Sequence, residues 1–229
     1  MRKTFVIGDI HGCHGALIKL LGQLAVDPRE DCVIFLGDYI DRGPDSKAVV
    51  DEVLRLRKQL RHCITLMGNH EEMLLRFLAG HERKLFPRVG GRETLASYGV
   101  HEPYDRHALR KIPDEHCRFF EELLTCWEDD NYIYVHAGLQ PGVHLSQQPR
   151  EWLLWAREDY LGSDYDFGKP VVSGHTPCRQ PRVEKNKLII DTGAVYGGRL
   201  TCLVLPDREF VQVAGRDAGA TFFGQQYFL

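Results

Sequence analysis

Apolar residues come in short runs along this chain, and most runs end in a glycine beside polar side chains. Phe5-Val6-Ile7 leads into Gly8-Asp9-Ile10-His11-Gly12. Cys32-Val33-Ile34-Phe35-Leu36 leads into Gly37-Asp38-Tyr39-Ile40-Asp41-Arg42-Gly43-Pro44. Cys63-Ile64-Thr65-Leu66-Met67 leads into Gly68-Asn69-His70-Glu71. Short continuous runs of this kind predict buried strands. Behind each turn the apolar spacing becomes helical. Leu17, Leu20, Leu21 and Leu24 mark one helix, and Met73, Leu74, Phe77 and Leu78 mark another. Val49, Val50, Val53 and Leu54 mark the helix between them, with Asp45 or Ser46 as its cap. Three strand-turn-helix units in succession predict a parallel sheet with helical crossovers. They also put the three polar turns on one edge of that sheet, where open α/β sheets bind ligands.

The middle of the chain differs. From about His81 to Trp127 the pattern is helical, broken at Pro87, Gly90-Gly91, Gly99, Pro103 and Pro113. Asp114 can cap a helix that turns Phe119, Phe120, Leu123 and Leu124 inward. The stretch at about 81–127 reads as a helical insert over one side of the site, within a single domain at 1–229. Gly90 to Thr94 reads either as a helix start or as a loop that touches substrate. Strand character returns in Tyr132 to Val135, Pro170 to Ser173 and Leu188 to Ile190. These lead into His136-Ala137-Gly138, Gly174-His175-Thr176-Pro177 and Asp191-Thr192-Gly193. Leu200 to Leu205 and Glu209 to Val213 predict a closing antiparallel hairpin. The apolar tail from Phe222 to Leu229 is expected to dock on the body of the protein.

Composition narrows the partners. A chain of 229 residues supports one well-buried core, and 43% hydrophobic with 27% charged residues is ordinary for a globular protein. A net charge of -3 gives no reason to expect nucleic acid or an anionic membrane as partner. No apolar run has the length of a membrane span, and the first one is too short for the core of a signal peptide. The seven cysteines are odd in number and form no Cys-x-x-Cys pair, so they read as reduced thiols of a cytoplasmic protein. A monomer is expected.

The strand-end side chains carry the chemistry. Asp9, His11, Asp38, Asn69, His136 and His175 offer two carboxylates, three imidazoles and a carboxamide, without thiolate. Such a set suits manganese, iron or zinc in a reactive site better than a structural zinc. Six side chains are too many for one catalytic ion with an open position, and they suit two ions that share a carboxylate. Asp38 is the natural bridge. Two divalent ions, two aspartates and one hydroxide leave a local balance of about +1, which favours an anionic substrate. Arg42 and Arg157 are the guanidinium candidates to clamp phosphate oxygens. His70 is placed to protonate a leaving oxygen, with Asp41 to orient it.

In their order, the first five of these turns, from Gly8-Asp9-Ile10-His11-Gly12 to Gly174-His175, resemble those of the phosphoprotein phosphatase (PPP) family of metallophosphoesterases, a resemblance that runs from Gly8 to about Gly198. The resemblance implies an α/β fold, a β-sandwich of mixed sheets flanked by helices. It implies that Asp9 and His11 bind one metal, that Asp38 bridges, and that Asn69, His136 and His175 bind the other. Arg42, Asn69 and Arg157 would hold the phosphate, and His70 paired with Asp41 would be the general acid. The implied chemistry is a one-step attack by activated water, without a phosphoenzyme, most simply with two manganese ions. A serine/threonine protein phosphatase, with phosphotyrosine as a further target, is the preferred reading, with a phosphoprotein or phosphopeptide as substrate. The reasons are Asp41, in an Asp-Arg-Gly turn, and Glu71 after His70. The sister branch, symmetrical bis(5'-nucleosyl)-tetraphosphatases acting on dinucleoside polyphosphates, is the alternative. An inactive scaffold of the same fold is a third reading.

Overall fold

The computed structural model describes residues 2–81 and 83–216. Two five-stranded sheets form its centre. The first holds β1 (Thr4–Ile7), β2 (Cys32–Phe35), β3 (His62–Thr65), β9 (Arg199–Leu205) and β10 (Glu209–Ala214), in the order β10-β9-β1-β2-β3. The second holds β4 (Cys126–Glu128), β5 (Ile133–Val135), β6 (Val171–Ser173), β7 (Arg182–Val183) and β8 (Lys187–Ile189), in the order β4-β5-β6-β8-β7. Strands β1, β2 and β3 run parallel, as do β5, β6 and β8, while β9, β10, β4 and β7 pair antiparallel. This is the mixed-sheet α/β sandwich.

The pleat assigns each side chain to a layer. Val6, Ile34, Leu36, Tyr134, Val172, Leu188, Ile190 and Leu203 form one buried cluster shared by both sheets. Their neighbours Phe5, Ile7, Val33, Phe35, Ile133, Val135, Val171 and Ile189 belong to the cluster that includes the helices. Residues apolar at every position therefore mark strands covered on both faces. The helices of the first sheet are α1 (His14–Leu21), α2 (Ser46–Gln59) and α3 (Asn69–Leu78). Leu17 and Leu20, then Val49, Val50 and Val53, then Met73, Leu74 and Phe77 are their buried positions. Leu54 and Leu78, expected inward, are only partly buried, and Leu56 takes the inward place on α2.

The stretch 81–127 carries α4 (Gly91–Ser97), α5 (Arg106–Leu109) and α6 (Asp114–Glu121), then β4. Of these, α4 packs on α2, and α6 packs on α2 and α3. The helical pattern stops at Glu121, so Leu124 does not follow Phe119 and Phe120 inward; it is 41% exposed, and its backbone bridges to Leu66 instead. Asp114 is inside the first turn of α6 and Pro113 takes the cap position. Neither Asp45 nor Ser46 caps α2 with its side chain. The remaining helices are α7 (Arg150–Trp155) and α8 (Glu158–Leu161). None of the helices among the described residues is long and apolar enough to cross a membrane. The tail from Phe222 to Leu229 lies outside the described residues.

Register explains why the motifs meet. Ile7 pairs with Phe35 and Phe35 with Thr65, so three turns leave one edge together. Val172 pairs with Tyr134 and Leu188, so the turns after β5, β6 and β8 leave the second sheet in the same way.

Candidate active site

The two edges are stitched to each other by the residues of interest. His136 Nδ1 donates to Leu36 O at 2.9 Å, and the His175 backbone N–H donates to both Asp9 carboxylate oxygens at 3.2 and 3.1 Å. Asp9, His11, Asp38, Asn69, His70, His136 and His175 are all buried. Two groups of potential ligands share Asp38: one with His11 and His70, the other with His136 and His175, with donor atoms inside 4.8 Å of one another in each.

The geometry fits a cation better than it fits the side chains alone. His11 donates Nδ1–H to Ile40 O at 2.8 Å, and its Nε2 accepts from Arg42, so that lone pair looks inward. Asp38 Oδ2, also an acceptor, lies 3.3 Å from the same nitrogen. Asn69 Oδ1 sits 3.0 Å from His136 Nε2 and 3.1 Å from His175 Nδ1. Burial lowers the His136 pKa, and its one proton is used on Leu36 O, so Nε2 faces the carboxamide oxygen as a second acceptor. His175 Nε2 is buried with no hydrogen-bond partner among the described residues. Facing acceptors and an orphaned imidazole nitrogen are what a divalent ion satisfies. Burial raises the Asp9 pKa, and Asp191 and Asp38 raise it further. Burial also acts on Asp38, but His136, His70 and His11 outweigh it and hold that carboxylate well below its usual range.

The backbone is strained at the same place. Among the described residues, positive φ outside glycine occurs at His11, Asp38, Asp41, Arg42 and His175, with φ of 47°, 51°, 74°, 67° and 65°, and at Arg208 in the β9–β10 turn. Five of six such residues thus belong to the site. Each costs roughly 1–3 kcal/mol, and such strain clusters where function demands it. The turns also close too tightly for side chains. A Cβ on Gly68 would stand 2.1 Å from Asp38 Oδ1, and one on Gly174 would stand 2.1 Å from Asp9 Oδ1.

Glu71 holds the second turn together. It is fully buried, and its carboxylate accepts from the backbone N–H groups of Asp38 and Gly68 at 2.9 Å, Tyr39 at 2.9 Å and Ile40 at 3.3 Å. Its position three residues into α3, where a glutamate reaches back to the cap, was the available signal. Glu71 therefore follows from backbone wiring, not from the identity of a substrate.

His70 Nδ1 lies 2.6 Å from Asp41 Oδ2, with both side chains buried. Thr94 donates to Asp41 Oδ1 at 2.6 Å and accepts from the Asp41 N–H at 2.8 Å, and Ser46 Oγ accepts from that N–H at 3.1 Å. Burial raises the Asp41 carboxyl to about 7 against the pull of Thr94, and burial holds His70 well below the usual imidazole range. Gly90 to Thr94 is thus a helix start, one that touches Asp41 and the Arg42 backbone. The Arg42 N–H donates to Gly90 O at 3.0 Å, and a Cβ on Gly90, whose φ is 113°, would meet that nitrogen at 2.7 Å.

The two arginines differ. The Arg42 guanidinium is half-buried, lies over the Tyr196 ring at 5.5 Å and donates to His11 Nε2. Arg157 is exposed at the start of α8, near enough for its charge to lower the His136 and His175 pKa values. Sequence reasoning took Ser46 for a possible cap, left Thr94 between a helix start and a substrate loop, and gave Asp191 no site role. The last carried the signal used for the others, a polar residue directly after an apolar strand.

A two-sheet sandwich with a strand-end cluster of aspartate, histidine and asparagine defines a metallophosphoesterase. The chain belongs to the calcineurin-like phosphoesterase family, whose model matches residues 2–191, and is a phosphoester hydrolase of that family. It is 31% identical over 235 residues to the asymmetrical bis(5'-nucleosyl)-tetraphosphatase PrpE of Anoxybacillus flavithermus, covering 91% of this chain and 92% of that one. It is 31% identical over 238 residues to the same-named protein of Oceanobacillus iheyensis, covering 93% of each. Solved structures share the fold. A candidate diadenosine tetraphosphatase superposes with a TM-score of 0.74 at 23% identity, covering 94% of this chain and 95% of that one. A serine/threonine phosphatase from Saccharomyces cerevisiae gives 0.61 at 16% identity, covering 95% and 81%.

Proposed function

We propose that this protein hydrolyses dinucleoside polyphosphates asymmetrically, with two divalent ions at the strand-end cluster. One observation carries the substrate class: the asymmetrical tetraphosphatases match it at 31% identity across more than nine-tenths of both chains. This replaces the protein phosphatase expected from Asp41 and Glu71. Glu71 binds four backbone N–H groups, so it carries no information on substrate. It also replaces the symmetrical alternative, because the relatives bear the asymmetrical name. The serine/threonine phosphatase likeness, at 16% identity, supports the fold alone.

Asp9 and His11 would hold one ion, Asn69, His136 and His175 the other, and Asp38 both. The oxygen and nitrogen donors, without thiolate, favour manganese over a structural zinc. Bound there, such ions supply charge neutralisation for a phosphate and acidify a water. Arg42, Arg157 and the Asn69 carboxamide orient the phosphate oxygens. His70 would give its Nε2 proton to the leaving oxygen and take one at Nδ1 from the Asp41 carboxyl, which burial raises to about 7. Thr94 and Ser46 hold Asp41. All seven cysteines are unpaired, which supports a reducing compartment such as the cytoplasm.

The test is a parallel turnover assay on manganese-loaded protein, with diadenosine tetraphosphate in one arm and a phosphoserine peptide in the other. The nucleotide is expected to win by tenfold or more in kcat/KM, with AMP and ATP as products in equal amounts. Two ADP per substrate would restore the symmetrical reading, and a win for the peptide would overturn the substrate class.

A further inference from the structure

We propose that the groove beside Trp155 binds the nucleoside nearest the reacting phosphorus. This assignment rests on the asymmetrical dinucleoside polyphosphate reading. Asymmetrical cleavage puts one nucleoside a single phosphate from the broken bridge. Its base must therefore lie next to the metal cluster, whereas symmetrical cleavage would put both bases a phosphate further out. A groove of about 530 Å³ lies there, lined by Glu72, Met73, Arg76, Leu85, Arg150, Glu151 and Trp155. That volume is within the range of small-molecule sites.

Trp155 joins the groove to the cluster. Its ring meets His175 edge-on, with centroids 6.3 Å apart, and the side chain remains 39% exposed. The indole is pinned: its Nε1–H donates to Glu72 Oε2 at 3.1 Å. The other Glu72 oxygen accepts from Arg150 Nε at 2.6 Å. One carboxylate thus fixes two flat groups, an indole and a guanidinium, on which a base can stack. Leu85, 45% exposed, adds an apolar surface. Glu72 directly follows Glu71, so the clamp on the second turn and the pin on Trp155 come from adjacent residues of α3. Two further grooves among the described residues are badly placed. One, with Arg2, Thr4 and Arg208, is at the opposite edge of the sheets, where β1 begins. Another is formed by Leu54 and Lys58 of α2 with Glu115 and Phe119 of α6.

The experiment compares native protein with Trp155→Ala, Trp155→Phe and Leu85→Asp, each with its manganese content measured. Turnover is followed on diadenosine tetraphosphate and on p-nitrophenyl phosphate, which has no nucleoside. The ratio of the two kcat/KM values should fall about tenfold or more in Trp155→Ala and Leu85→Asp, and Trp155→Phe should recover most of it. Competition supplies a readout apart from nucleotide turnover. AMP should inhibit p-nitrophenyl phosphate hydrolysis better than ribose 5-phosphate in native protein, and Trp155→Ala should erase that preference. Native turnover of diadenosine tetraphosphate with an unchanged ratio in both variants overturns the pocket and leaves the function standing. Equal losses on both substrates also overturn it, because Trp155 would then act only through Glu72 or His175. No turnover of the nucleotide by native protein overturns the function and the pocket with it.

Discussion

Asp41 and Arg157, both assigned above to the proposed site, are held in opposite ways. Asp41 is fully buried, carries a φ of 74°, and is bonded to His70, Thr94 and Ser46. Arg157 is exposed and has no side-chain hydrogen bond among the described residues. The contrast matches what each group would do in the proposed reaction. An acid-base pair has to be aimed before substrate arrives, since reorganising it during reaction would raise the barrier. A long guanidinium can be ordered by the phosphate it binds, at the cost of side-chain entropy. Strain and burial belong to the first kind of residue, exposure to the second. Substitutions on the buried side should therefore be severe and independent of salt, and those on the open side mild and salt-sensitive.

Asp38→Asn should give the largest effect. The shared carboxylate belongs to both potential ligand groups, so neutralising it weakens both. Metal content measured by plasma emission should drop, and kcat/KM should fall by about 10³-fold or more, a loss of about 4 kcal/mol. Full metal occupancy in that variant would break the bridging role.

His70→Asn comes next, and its effect should depend on the leaving group. General acid catalysis contributes about 10²–10⁴-fold when the departing oxygen is strongly basic. Alkyl phosphates should lose that much. Diadenosine tetraphosphate and p-nitrophenyl phosphate both release weakly basic oxygens and should lose much less. Equal losses on all three would assign His70 to structure.

The parts of this site that were legible in the sequence are those announced locally. An apolar run followed by a polar residue with a glycine close by picked out Asp9, Asp38, Asn69, His136 and His175, because strand register aligns such turns on one edge. Thr94 was not legible in its role, since its bonds to Asp41 span 53 residues of sequence. Glu71 was misread for the same reason: its donors at Asp38 and Tyr39 lie 33 and 32 residues upstream. Strands β4 and β7 were missed because they are three and two residues long and carry no fully buried side chain.

Thr94→Val tests whether the long-range support of Asp41 matters. It removes a hydroxyl that both donates to and accepts from Asp41, in a buried position. Hydrogen bonds to charged groups contribute about 1.5–3 kcal/mol, so kcat on alkyl phosphates should drop about 10- to 100-fold. Thr94→Ser keeps the hydroxyl and should restore most of that loss. A valine variant that loses only thermal stability, with kcat intact, would reduce Thr94 to packing.

The smallest effect belongs to Arg157→Ala, and it tests the open side directly. An exposed charge acts through solvent, and exposed ion pairs contribute about 0.2–1 kcal/mol. KM for diadenosine tetraphosphate should rise by about three- to fivefold at low ionic strength, with kcat little changed. The difference should shrink towards physiological salt, where charges separated by more than about 8 Å are largely screened. Arg42→Ala should behave otherwise, because that guanidinium is half-buried between the Tyr196 ring and His11. Its loss should persist at every salt concentration. If Arg157→Ala is as damaging as Arg42→Ala and equally indifferent to salt, Arg157 must lock into a fixed position when substrate binds, and the division between an aimed side and an adaptable side of this site fails.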